Sequence, residues 1–136
     1  PLRVARAAGM PMFGTCAGMI MLADTVLDAR ADQETVGGLD VVVRRNAFGR
    51  QVDSFEADLS VPTVGDEPFP AVFIRAPWVE SVGSEVEILA EITEGKRAGT
   101  IGAVQHAGLL ATSFHPELGS DVRFHRLFVE NVQGSR

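Results

Sequence analysis

The chain has 136 residues, enough for one compact domain with a core of its own; 46% are hydrophobic and the mean hydropathy is +0.13. Eighteen acidic against 12 basic residues leave a net charge of −6 and a pI near 5.0, and the only basic pairs, Arg44-Arg45 and Lys96-Arg97, form no stripe, which argues against nucleic acid as the main partner. One cysteine excludes an internal disulfide framework and fits a reducing, cytoplasmic setting, while no apolar run reaches the roughly 18 residues of a membrane span and no signal peptide is visible.

Leu2 to Ala8 reads as the tail of a helix, with Gly9 where a C-terminal cap falls. Because Pro1 is not an initiator methionine, the sequence is expected to open inside a domain. Met10 to Phe13 is a short apolar strand, buried on both faces as strands of parallel sheets are. A helix is predicted from Ala17 to about Leu27, with Ile20, Ala23, Val26 and Leu27 on one face. Ala29 to Gly38 is polar and loop-like. Leu39 to Val43 is a β-branched strand that runs into a shaped loop over Arg44 to Arg50. Val52 to Val61 is extended, and the prolines and glycine of Thr63 to Pro70 make a turn-rich connection.

Further strands are predicted over Ala71–Ile74, Val86–Ile92 and Ile101–Gln105, with Thr93 to Thr100 as a polar link. Pro77 biases Ala76 away from helix. Ala107-Gly108 is a hairpin turn into Leu109–Phe114. The last element is a helix from about Asp121 to Val132, capped by Ser120 or Asp121, with Phe124, Leu127, Phe128 and Val132 as its apolar stripe. Buried strands, a helix after the first of them and a C-terminal helix indicate an α/β domain with some antiparallel pieces.

Chemistry concentrates where the first strand meets its helix. Gly14-Thr15-Cys16-Ala17-Gly18 has the G-x-nucleophile-x-G spacing of a nucleophile elbow, a sharp turn that leaves little room for a Cβ and lifts the side chain out. A thiol set at a helix N-terminus is expected to favour the thiolate. A lone cysteine is otherwise a small buried hydrophobe. A thiolate nucleophile needs a base and something to orient that base. Of the three histidines, His106 lies beside a turn and His125 inside the last helix, both ordinary surface or structural positions. His115 ends an apolar strand, and Pro116 stiffens its link to Glu117, so that the two side chains can point the same way.

With these residues in place the chain resembles the glutaminases of pyridoxal 5′-phosphate synthase, a subfamily of the triad-type (class I) glutamine amidotransferases. The resemblance rests on Gly14-Thr15-Cys16-Ala17-Gly18-Met19, Arg45-Asn46-Ala47-Phe48-Gly49-Arg50-Gln51-Val52-Asp53-Ser54-Phe55-Glu56, Phe73-Ile74-Arg75-Ala76-Pro77, Phe114-His115-Pro116-Glu117 and Asp121-x-Arg123-x-His125-x-x-Phe128. The elbow and His-Pro-Glu are shared by many class I amidotransferases; the Arg45 block and Phe-Ile-Arg-Ala-Pro are much more specific to the subfamily. The resemblance implies a three-layer, flavodoxin-like α/β fold, a mixed sheet with flanking helices, of which residues 1–136 form one domain, the C-terminal two-thirds of a family-length one. It implies hydrolysis of L-glutamine to glutamate and ammonia without cofactor or metal, and delivery of the ammonia to the pyridoxal 5′-phosphate synthase subunit in a large hetero-oligomer. Cys16 is then the nucleophile, His115 the general base and acid, and Glu117 its orienting carboxylate. The Ala17 N–H is an oxyanion donor, and Arg45, Ile74 and Arg75 hold the glutamine. A guanidinium suits the α-carboxylate of that substrate, whereas Arg45 by itself also reads as a solvated arginine and Arg75 as a structural ion pair.

Family members carry N-terminal strands and a Pro-Gly-Gly-Glu-Ser-type loop with a second oxyanion donor that these residues do not contain. Losing one such donor costs about 10²–10³ in turnover, so the chain alone is expected to be poorly active or poorly folded unless that portion is supplied. Two other readings stay open: a catalytically incomplete module that only binds the synthase, and the amidotransferase domain of another pathway.

Overall fold

In the computed structural model, which describes residues 1–27, 35–45, 54–74, 76–92 and 98–134, helices and strands follow the apolar stretches closely, with two exceptions. Helix α1 (Leu2–Ala7) ends at Gly9, whose φ of +92° and bond to Arg6 O terminate it where a glycine permits. Strand β1 (Met12–Thr15) leads through Cys16 into α2 (Ala17–Leu22).

Here lies the first exception: α2 stops at Leu22 and does not run to Leu27. Ala23 turns extended (φ −67°, ψ 139°), and Ala23–Leu27 forms β2, paired in parallel with β3 (Leu39–Arg44). The Met21 carbonyl accepts from the amides of Val36 and Gly37, which satisfies a helix end early, and β-branched Thr25 and Val26 favour the strand. Ile20 and Ala23 are buried as the spacing implied, but by a helix followed by a strand. Strand β4 (Ser54–Ser60) pairs antiparallel with β5 (Phe69–Ile74) across the connection 61–68.

The second exception is β6 (Trp78–Val82), which pairs antiparallel with β3 and has no counterpart in the sequence reading. Only Val79 of this strand is fully buried, so it lacks the apolar run or alternation by which strands are recognised. Strands β7 (Glu87–Ile92), β8 (Ile101–His106) and β9 (Leu109–Thr112) complete the set. The β8–β9 turn has positive φ at both Ala107 (51°) and Gly108 (83°), the backbone of a two-residue hairpin. In α3 (Arg123–Gly134) Phe124 and Leu127 are the buried stripe, and Asp121 Oδ1 accepts from the Arg123 N–H at its start, as a cap.

Among the described residues the strands form a six-stranded sheet, β1-β9-β8-β7-β4-β5, and a three-stranded sheet, β2-β3-β6. Both are mixed: β1 is parallel to β9, and β2 to β3, while the other pairs are antiparallel. The large sheet has two packed faces. Leu59, Phe73, Ala103 and Leu110 face α3 in one core, and Val104, Leu109 and Ala111 face α2 and the small sheet in the other. This gives three layers, with all four residues of β9 buried between them.

In the α3 core Phe69, Phe73, Phe114 and Phe124 are each no more than 1% exposed and meet at ring centroids 4.8–5.6 Å apart. Truncating one of them to alanine costs about 3–5 kcal/mol. The same helix touches β1 through Phe128, whose ring lies 5.4 Å from Phe13. One helix thus packs against both edge strands, and the sheet curls around it.

Candidate active site

The curl decides where the site forms. Strands β1 and β5 are opposite edges of the large sheet, yet the Cys16 thiol, one residue beyond β1, lies 3.5 Å from the carbonyl oxygen of Ile74 at the end of β5. The backbone of Cys16 is fixed separately, its N–H donating to Thr112 O at 2.8 Å where β9 ends. Three residues further on, the His115 N–H donates to Val72 O at 2.8 Å. Cys16 and His115 therefore both engage the free edge of β5, at carbonyls two residues apart.

Cys16 has φ 53° and ψ −107°, one of two non-glycine residues with positive φ among those described. An L-residue held there carries strain of about 1–3 kcal/mol, which persists because strand, helix and the Thr112 bond all fix the turn. Close approach at the elbow explains one of its glycines. A Cβ on Gly14 would lie 2.4 Å from Gly18 O, whereas a Cβ on Gly18 would meet nothing within 4 Å. The expectation that both glycines make room is thus met at Gly14 only.

His115 Nδ1 is paired with Glu117 Oε2 at 2.8 Å, across the short turn begun by Pro116. Burial raises the Glu117 carboxyl, but the His115 hydrogen bond, its own backbone amide and the charges of His115 and His125 outweigh it and hold the group below its ordinary value. His125 contributes from α3, where it is exposed and lies edge-on to Phe13 at 5.6 Å. Among the described residues His115 Nε2 makes no hydrogen bond, and the thiol donates to Ile74 O instead of the imidazole. The thiol itself is not poised as the helix N-terminus suggested. Partial burial raises it above the ordinary value, the Ala17 N–H pulls it down, and the Glu117 carboxylate raises it again. Helix α2 has only six residues, too little dipole to overcome desolvation.

Ala17 is exposed, with its amide directed at the sulfur. Ile74 lies beside the thiol and is 37% exposed. Arg45 follows β3, its amide bonded to Leu27 O at 3.2 Å, and is carried by the small sheet while the other site residues are carried by the large one. The two are linked by the chain from Ile74 to Trp78, which starts β6 opposite Arg44. Arg75 and residues 46–53 of the Arg45 block lie outside the described residues. Among the described residues no group of three or more His, Cys, Asp or Glu is arranged to hold a metal ion, and no helix is long and apolar enough to cross a membrane. A cavity of about 530 Å³ lined by Glu85, Glu87, Gln105, His106, Glu130 and Asn131 lies at the hairpin end of β8 and β9, opposite Cys16.

Comparison with known proteins shows the family to which the chain belongs. The model of the SNO glutamine amidotransferase family matches residues 2–134. Among curated relatives, the pyridoxal 5′-phosphate synthase subunit PdxT of Nocardioides sp. is 60% identical over 136 residues, covering 100% of this chain and 67% of that protein. PdxT of Streptomyces avermitilis is also 60% identical over 136 residues, covering 100% of this chain and 65% of its own length. A solved structure of a glutamine amidotransferase superposes with a TM-score of 0.85 at 43% identity, over 97% of this chain and 66% of the other. The chain thus spans about two thirds of the length of the relatives it matches.

Proposed function

The chain belongs to the SNO glutamine amidotransferase family, and from that premise we propose that it is a glutaminase domain that feeds ammonia to a pyridoxal 5′-phosphate synthase. The observation that supports this best is the meeting of a strained cysteine and a carboxylate-held histidine on one strand edge, through Ile74 O and Val72 O. In this reading Cys16 Sγ attacks the side-chain amide carbon of glutamine while His115 takes the thiol proton. The raised thiol makes this transfer part of the reaction and not a resting state. Glu117 keeps Nδ1 occupied, which leaves Nε2 to handle the proton, and its carboxylate stabilises the imidazolium that forms.

The tetrahedral oxyanion draws on the Ala17 N–H. Its collapse breaks the C–N bond, His115 returns the proton to the departing nitrogen, and a γ-glutamyl thioester and ammonia result. Water, deprotonated by His115, then attacks the thioester, releasing glutamate and restoring the thiol. Arg45 receives the α-carboxylate, and Ile74 and Arg75 are the further residues assigned to hold the glutamine. Direct transfer to a partner suits the product, because free ammonia is mostly protonated, and so non-nucleophilic, at neutral pH.

Glutamate release, measured on the full-length protein with the synthase subunit present, tests the proposal. It is expected for the wild type and lost in Cys16→Ala. Release that survives Cys16→Ala refutes the nucleophile; a wild type that binds the synthase and releases no glutamate leaves only a binding module.

A further inference from the structure

The base must reach a sulfur carried by a different element, and one buried residue ties the two supports together. Thr112, 0% exposed, accepts the Cys16 N–H with its carbonyl oxygen at 2.8 Å and donates its hydroxyl to Phe114 O at 2.9 Å. The first bond references the nucleophile to the end of β9. The second closes the bend through Ser113 and Phe114 from which His115 departs, and Phe114 O belongs to the peptide whose N–H is that of His115, bonded to Val72 O. Ring contacts of Phe114 with Phe69, Phe73 and Phe124 hold the outer side of the bend but do not set its peptide plane, which the Val72 carbonyl holds at the His115 N–H and the Thr112 hydroxyl holds at Phe114 O.

We propose that the Thr112 hydroxyl is a positioning residue of the reaction, fixing the His115 imidazole relative to Cys16 through Phe114 O. The inference rests on the glutaminase reading. A buried hydroxyl at a strand end also has an ordinary role, satisfying one carbonyl, and the two roles differ in what a change does to the reaction. If the hydroxyl positions the base, its loss misplaces a group that acts only in the transition state. Substrate binding, which the proposed function gives to Arg45, Ile74 and Arg75, is left alone.

The test compares Thr112→Val, which keeps the shape and the carbonyl, with Thr112→Ser, which keeps the hydroxyl. Glutamate release is measured on the full-length protein with the synthase present. For Thr112→Val a drop in kcat of about tenfold or more is expected with KM changed less than about twofold, and Thr112→Ser stays within about threefold of wild type. Alkylation of Cys16 by iodoacetamide is expected to be unchanged in both variants, since the carbonyl that holds its amide remains. Wild-type kcat in Thr112→Val, or an equal loss in Thr112→Ser, overturns the proposal. If glutamate release survives Cys16→Ala, the functional reading itself has failed. The Thr112 claim is then decided by the His115 imidazole NMR resonances, which shift in Thr112→Val and hold in Thr112→Ser if it is right, and hold in both if it is wrong.

Discussion

Alanine at Gly14 and alanine at Gly18 make opposite changes to the same motif. At Gly14 the added Cβ would sit 2.4 Å from Gly18 O, 2.6 Å from Gly18 C and 3.0 Å from Leu22 Cδ1. Two of those three atoms are backbone, so β1 and α2 must part. Forcing a methyl into a packed junction costs on the order of 1–3 kcal/mol. With an unfolding entropy near 2.1 cal/mol/K per residue, the 136 residues convert 1 kcal/mol to roughly 3.5 °C, so Tm falls by about 3–10 °C. The parting also carries Cys16 away from Ile74 O and Thr112 O, and a shift approaching 1 Å costs about 10²-fold in kcat. Gly18 has open space and no positive φ, so alanine there gains up to about 1 kcal/mol of helix propensity and leaves the elbow in place. Thermal unfolding by circular dichroism and glutamate release by the full-length variants measure both effects. Equal losses from the two substitutions would refute close approach as the reason for Gly14.

Three other outcomes follow from the site. Cys16→Gly is expected to be inactive and yet more stable than Cys16→Ala by about 1–3 kcal/mol, because only glycine occupies φ 53° and ψ −107° without strain; calorimetry on the pair checks it, and equal stabilities would show that the turn is unstrained. The thiol is raised by burial, so the substrate-free protein should show no thiolate absorbance at neutral pH and gain it only above the ordinary thiol range; thiolate at pH 7 would mean that desolvation does not dominate there. Glu117 is depressed in the folded state, so its contribution to stability is present above the ordinary carboxylate range and disappears as pH falls through its lowered value. The Tm difference between wild type and Glu117→Gln should accordingly shrink on acidification, and a difference that grows toward low pH would reverse the sign.

The sequence carried the site more clearly than the frame around it. Cys16 between its glycines, and His115 two residues before Glu117, are local patterns, and local patterns survive folding: the elbow turn and the Nδ1–Oε2 pair are both there. Ala107-Gly108, Gly9 and Asp121 were legible for the same reason, since a turn or cap depends on a few neighbouring residues. Ala23–Leu27 misled because Ile20, Ala23, Val26 and Leu27 keep helical spacing, and only the pairing with β3 makes the second half a strand. Trp78–Val82 carried too little apolar pattern to be seen before β3 offered it an edge. The protonation bias of Cys16 went the other way from expectation, because burial of a side chain depends on the whole fold while a helix N-terminus can be read from a few residues. Thr112 passed unnoticed as the polar end of an apolar strand, a weak but real signal. Nothing in the sequence indicated that opposite edges of one sheet would meet at Ile74 and Cys16.

The most direct measurement is mass spectrometry of the full-length protein, acid-quenched during glutamine turnover and digested. A glutamyl adduct is expected on the peptide containing Cys16, absent from Cys16→Ala and lost when glutamine is exhausted. Steady glutamate release with no adduct there, or with the adduct on another residue, would contradict it.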